Sequence, residues 1–133
     1  MNTVSKDFTE VLSGETSLGL VFKTNLFRAR VPDAPDICVT LIDMPGVPAI
    51  TLRQETSGYY FNELVIKVRD NDYQDAMDMA QSIMEFLHAY GGFTLNGTVY
   101  TLIKALTTPQ LLEWDENERP VVLLMFEVQR KAS

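Results

Sequence analysis

The sequence is short of the residues on which metal sites, disulfides and many active sites depend. Its 133 residues include one cysteine, Cys38, and one histidine, His88. A single cysteine excludes an internal disulfide, and with one histidine no cysteine–histidine zinc cluster can form. No GxxxxGK[ST] or GxGxxG motif is present to hold a phosphate. We therefore expect no metal, no cofactor and no enzymatic activity, and we expect Cys38 to be a buried apolar residue.

Long hydrophobic runs and basic residues are also scarce. The longest apolar run, residues 121–126, is far too short to cross a bilayer, and the charged N-terminal stretch does not fit a signal peptide. Eleven basic residues against eighteen acidic ones leave a net charge of -7. Such a surface repels nucleic-acid phosphate and anionic lipid, so membrane binding and simple DNA binding are disfavoured. The composition, 46% apolar and 22% charged, predicts one globular domain over residues 1–133.

Hydrophobic periodicity predicts two helices. A short N-terminal helix has one apolar face, formed by Val4, Phe8, Val11 and Leu12. Residues 72–90 form the main amphipathic helix, with Asp72 as its N-cap and Gly91-Gly92 at its end. Met79 and Phe86 lie outside the main apolar stripe of this helix and widen its apolar surface.

Alternating apolar residues predict the main strands. These strands cover residues 37–44, 59–69, 93–95, 99–106 and 121–130. Asn96-Gly97 marks a hairpin, and Pro45, Gly46, Val47 and Pro48 are expected to end the first strand as a loop. The predicted fold is α+β: a mixed or antiparallel sheet of four to five strands, the main helix packed on it, and the short N-terminal helix. Because the last strand is apolar on both faces, the second face is expected to need a partner subunit.

Two groups of charged residues each have two interpretations. Arg28 and Arg30, in a segment flanked by prolines, either contact an acidic partner or protect an exposed strand edge from aggregation. A second group, in a polar stretch, forms either a solvated turn or a negatively charged surface or channel. Its members are Glu113, Asp115, Glu116 and Glu118. His88, near the end of the main helix, is expected to be structural or solvated.

An ordered set of short motifs extends over most of the chain. The set comprises Leu26-Phe27, residues 32–36, Pro45-Gly46, residues 59–68, Asp72-Tyr73 with Ala76, Asn96-Gly97, residues 109–112 and residues 115–120. In this order the chain resembles the tail terminator, or tail-completion (minor capsid), proteins of long-tailed bacteriophages. The resemblance implies a non-enzymatic structural protein of the virion. It implies an α+β subunit of a ring, typically a hexamer, that caps the completed tail tube, ends its polymerisation and joins the tail to the head connector.

The same resemblance implies partners and a location. The partners are copies of the chain itself, the tail tube protein and a head connector or stopper protein, at the tail-neck junction of a particle assembled in the host cytoplasm. DNA would only pass through the lumen, and an acidic lumen would let it slide. Candidate subunit or tube contacts are Met79, Phe86 and the loop of Pro45, Gly46, Val47 and Pro48. For Met79 and Phe86 a place in the core is the alternative.

Two other functions remain open at this point. The nearer one is another neck or adaptor (head-tail joining) protein of the same particle, because such proteins have similar size and acidity. The more distant one is a monomeric α/β domain that binds a small ligand or a peptide. Oligomeric state and binding to purified tails distinguish these alternatives.

Overall fold

The structure, a computed structural model, describes residues 1–48 and 58–132. It contains two α-helices, a 3-10 turn at Thr16–Leu18, and seven strands. The helices are α1 (Val4–Gly14) and α2 (Tyr73–Leu87). The strands are β1 (Leu26–Arg28), β2 (Cys38–Val47), β3 (Tyr60–Arg69), β4 (Phe93–Leu95), β5 (Thr98–Ala105), β6 (Gln110–Trp114) and β7 (Pro120–Ala132).

The seven strands form one mixed sheet. Its order is β1-β2-β3-β7-β5-β4, and β6 pairs with β7 beyond the end of the β5–β7 ladder. Only β1 and β2 run parallel among these pairs, and the other ladders are antiparallel. The α+β prediction is confirmed, with seven strands in place of four to five.

Both helices pack on the same face of the sheet. Phe8 and Leu12 of α1 share one buried cluster with Ala80 and Ile83 of α2. Alternate residues of β3 and β7, such as Leu64 and its register partner Phe126, complete this core. The predicted second apolar face of β7 therefore has no helix on it. We call this opposite side the open sheet face.

The helix ends follow local side-chain chemistry. Thr3 caps α1 by accepting a hydrogen bond from the Lys6 backbone N–H at 3.3 Å, and Asp72 caps α2 by accepting one from Asp75 N–H at 3.0 Å. The α2 helix ends at Leu87, three residues before the predicted boundary. His88 leaves the helical conformation and Ala89 takes a φ of 63°. The His88 Nδ1 then accepts the Ala105 backbone N–H at 3.0 Å, which confirms a structural role for His88.

The prediction of a loop at Pro45, Gly46, Val47 and Pro48 is wrong for its first three residues. β2 continues through Val47, with an irregularity in its pairing to β3 between Met44 and Val47. Gly46 permits this because a Cβ there would lie 2.7 Å from the Asn62 Cα and would also clash with the Phe61 carbonyl oxygen. The turn signals of proline and glycine therefore mark a β-bulge and a close backbone approach.

Strands β1 and β6 were not predicted. Gln110–Trp114 is mostly exposed and pairs irregularly with β7 around Leu112, so it lacks the alternation that marks a half-buried strand. The hairpin at Asn96-Gly97 is confirmed, and both residues take positive φ values, 51° and 77°. Among the described residues, no helix is long and apolar enough to cross a membrane.

Candidate interaction surface

The open sheet face carries large apolar side chains, most of which are partly or well exposed. Cross-strand register and alternation along the strands place seven such residues on it. They are Ile42, Met44, Phe61, Val65, Leu102, Leu123 and Met125. Three of them, at the end of the sheet near the β2–β3 connection, are well exposed: Met44 by 39%, Phe61 by 38% and Leu102 by 44%. In register, Gln129 lies between Phe61 and Leu102, so these exposed apolar side chains belong to a surface of mixed character. Uncovered apolar side chains make this face a candidate binding site for another protein.

The opposite end of the same face is closed by a cluster of buried arginines. The Arg119 guanidinium donates to Asp115 Oδ2, Asp36 Oδ1 and the Asp33 carbonyl oxygen, each at 2.8 Å. Arg69 donates to the Pro35 and Asp36 carbonyl oxygens at 2.6 and 3.0 Å. The motifs at residues 32–36 and 115–120, which carried the resemblance, therefore contact each other and fix the loop before β2.

The four acidic residues proposed for a charged surface occupy different environments. Asp115 belongs to the Arg119 cluster. Desolvation raises its pKa, but hydrogen bonds from the Arg119 backbone and side chain outweigh this effect and hold the pKa below its ordinary value. Glu113, Glu116 and Glu118 are exposed around the β6–β7 turn. Only these three remain candidates for an acidic lumen.

Met79 and Phe86 are half-buried and pack against the core cluster from α2. Met79 lines a small cavity of about 40 Å³ beside Cys38, which is buried as expected. The Phe86 ring lies 5.1 Å from that of Tyr90, and both line an open groove between the ends of the two helices together with Glu10 and Glu15. Neither side chain is wholly core or wholly surface.

Arg28 and Arg30 lie at the edge of the sheet formed by β1. The Arg28 guanidinium carbon is 4.7 Å from the centre of the Phe22 ring, and Lys23 Nζ is 5.8 Å from the same ring. A cation over an aromatic face at this distance is held in place while its charge remains available. Neither arginine forms a salt bridge with a described residue.

Register also reveals two carboxylates on the open sheet face that the sequence pattern did not single out. Glu63 of β3 is directly opposite Glu127 of β7, and both are partly buried. The two-sided apolar pattern of residues 121–130 indicated that this face needs a partner, but only strand pairing brings these two glutamates together. Nowhere in residues 1–48 and 58–132 do three or more metal-ligating side chains converge.

Comparison with known proteins gives three findings. The model of a family described as bacteriophage tail terminator protein matches residues 13–131. Nine chains of solved structures match. One, from the virion of a native gene transfer agent particle, has 16% sequence identity and a TM-score of 0.68 over 98% of this chain and 96% of that one. At that identity the likeness shows a shared fold. No curated protein sequence matches the chain.

The fold is that of an α+β subunit with one sheet face that no helix covers. Because the family model covers nearly the whole sequence, the chain belongs to the bacteriophage tail terminator family. It is a structural tail-completion protein, as the resemblance of its motifs predicted.

Proposed function

We propose that copies of this chain form a ring, expected to be a hexamer, that caps the completed tail tube and stops its polymerisation. The same ring offers its other side to the head connector or stopper protein at the tail-neck junction of the virion. The observation that carries this proposal is the open sheet face, where Phe61 and Leu102 are exposed although both helices pack on the other side. A subunit whose second sheet face is apolar gains stability when a neighbour covers it.

The role we propose is structural and not catalytic, and it involves residues 1–133 as one unit. The family, whose members complete tails, supports the structural role. Contacts between the ends of the chain support its action as one unit. Arg130 Nη1 donates to the Asn2 carbonyl oxygen at 2.6 Å, and Arg130 Nε donates to Asn62 Oδ1 at 2.8 Å. No cofactor is invoked, and assembly in the host cytoplasm is the expected setting.

We propose further that Glu113, Glu116 and Glu118 line the lumen of the ring. Their carboxylates are exposed at one turn, while Asp115 is held by Arg119 and does not contribute a free charge. Negative charge along the channel would let DNA pass without adhering, because phosphate and carboxylate repel each other. An image of the assembled ring with this turn on its outer rim would overturn the assignment.

The segment from Pro45 to Pro48 and the two half-buried residues of α2, Met79 and Phe86, are proposed as tube or subunit contacts. Val47 is 55% exposed and pairs with Phe61, so this end of β2 continues the apolar surface of the open sheet face. Phe86 lines the groove between the helix ends. Such a groove suits an inserted side chain of the tail tube protein better than it suits a flat protein surface.

Electron microscopy of purified tails with and without the chain tests the proposed function. Added to growing tails, it is expected to give capped tails of limited length, with density of ring symmetry at one end. Uncapped tails that continue to grow would refute the terminator role. Binding to isolated connectors but not to tails would indicate the alternative, a neck or adaptor protein. A stable monomer that binds neither would favour a ligand- or peptide-binding domain.

A further inference from the structure

Two carboxylates lie side by side on the open sheet face, with one lysine in register beside them. Glu63 and Glu127 are directly opposite each other on neighbouring strands, where the Cβ atoms of opposed residues are about 5 Å apart and like charges destabilise the sheet. Lys104 of β5 is in register with Glu127. No ion pair within 4.0 Å, however, joins either carboxylate to a described residue. Apolar side chains, Phe61 and Met125 among them, border the pair and limit its hydration.

A surface of the opposite character lies at the β1 edge of the same molecule. Lys23 and Arg28 contact the Phe22 ring, and Arg30 follows Arg28 by two residues along the chain; we call these three cations the basic patch. In the sheet, β2 lies between this edge strand and β3, and β2 and β3 lie between it and β7; β3 and β7 carry the carboxylate pair. One molecule therefore presents two different, charge-complementary surfaces at separate positions.

We propose that the basic patch of one copy docks on the open sheet face of the next, with an arginine of the patch between Glu63 and Glu127. This inference rests on the proposed ring, since it names the two surfaces that form its subunit contact. Contacts between unlike surfaces repeat head to tail and close into rings, whereas like-on-like contacts give dimers. A guanidinium forms paired hydrogen bonds with carboxylates, and Phe22 already orients the Arg28 side chain.

The charge of the chain favours a second copy as the occupant of this face. Copies that each carry a net charge of -7 repel one another at long range, so their approach requires an oriented contact between opposite charges. The basic patch supplies the cations, and Glu63 and Glu127, with Lys104 in register with Glu127 alone, supply an excess of negative charge. The apolar border then excludes water from the ion pairs, which strengthens them.

Cross-linking tests the contact directly. Two single variants, R30C and E127C, are purified, mixed with isolated tails, treated with a short bismaleimide and separated on a denaturing gel. A dimer is expected from the mixture and not from either variant alone, and the R30C/E127C double variant is expected to give a ladder of higher oligomers. Wild-type chain is the control for Cys38, which is buried. Self-linking of E127C alone, or linking of E127C to the tail tube protein, would overturn the proposal.

Charge exchange tests the energetics. R28E/R30E and E63K/E127K are each expected to lower tail capping by about tenfold or more, and the variant with all four changes is expected to recover to within about threefold of wild type. D78K/E85K, at two exposed carboxylates of α2, changes the net charge by the same amount as E63K/E127K and is expected to leave tail capping unchanged. If circular dichroism shows that all variants are folded and the variant with all four changes does not recover tail capping, the pairing is refuted. Failure of wild-type chain to cap tails would instead refute the proposed function.

Discussion

Asp7 is the buried carboxylate that joins α1 to the β4–β5 hairpin. One of its oxygens accepts a hydrogen bond from the Tyr100 hydroxyl, and the other accepts from Asn96 Nδ2 at 2.9 Å and Asn2 Nδ2 at 3.1 Å. Asp7 and Tyr100 are both fully buried. Burial above all, and then the hydrogen bond and charge of Asp7, raise the pKa of the Tyr100 hydroxyl, against a smaller opposing effect of Arg130. The phenol therefore stays protonated and donates to the carboxylate.

Replacing Asp7 by alanine is predicted to lower the free energy of unfolding by about 3–5 kcal/mol. A hydrogen bond to a charged group contributes about 1.5–3 kcal/mol, and a buried donor left without an acceptor costs about 1–3 kcal/mol more. The Tyr100 hydroxyl would become such a donor, because its only described acceptor is Asp7. Against a typical total stability of about 5–15 kcal/mol, the loss is large enough to measure without ambiguity.

A double-mutant cycle measured by urea unfolding checks the reasoning. D7A, Y100F and D7A/Y100F are compared, and the double variant is expected to be more stable than the sum of the single losses by about 1–2 kcal/mol. The gain arises because Y100F removes the hydroxyl that D7A leaves unpaired. Glu10→Ala is the control: this exposed carboxylate of the same helix also accepts from Asn96, at 3.1 Å, and its loss should stay within about 0.5 kcal/mol. A coupling indistinguishable from zero would refute the role assigned to Asp7.

Three further predictions concern the bulge, the arginine cluster and the groove. Gly46→Ala is expected to destabilise the chain by about 1–3 kcal/mol because its Cβ has no room, whereas Gly14→Ala, with open space around it, should be neutral or stabilising in thermal melts. Folding lowers the pKa of Asp115. The carboxylate of Asp115 therefore stabilises the fold fully above its pKa in the unfolded chain, about 4, and this stabilisation is lost as the pH falls through its lower pKa in the folded chain. Urea midpoints of wild type should therefore fall more steeply on acidification than those of Asp115→Asn, and parallel curves would contradict this. Phe86→Asp is expected to give a folded chain that no longer caps tails, and an unfolded chain by circular dichroism would assign Phe86 to the core.

Elements with strong local signals could be predicted from the sequence. The apolar stripe and the Asp72 cap determine α2, and the Asn96-Gly97 turn determines the β4–β5 hairpin, because these interactions lie within a few residues of each other. The end of α2 was less predictable. His88 turns toward the Ala105 backbone, a tertiary contact that ends the helix before the glycines do.

Features that depend on strand pairing could not be predicted. β1 and β6 are short and have no regular alternation of apolar and polar residues, and they exist as strands because β2 and β7 offer them hydrogen-bonding partners. The opposition of Glu63 and Glu127 requires the register of two strands that are far apart in sequence. The apolar character of both faces of residues 121–130 did indicate an uncovered surface. Its charged centre, however, became visible only in the folded sheet.

The structure also shows how the charges of this acidic chain are divided between its interior and its surface. Three of its arginines, Arg69, Arg119 and Arg130, are almost completely buried and satisfy backbone and side-chain acceptors inside the molecule. Their positive charges therefore contribute little to the surface, which is more uniformly negative than the sequence suggests. Against that background the basic patch stands out among the described residues, because Arg28 and Arg30 lie together at one edge. A largely negative protein with a localised cationic surface can approach its own copies in few orientations, and this restriction favours directed, head-to-tail assembly over random association.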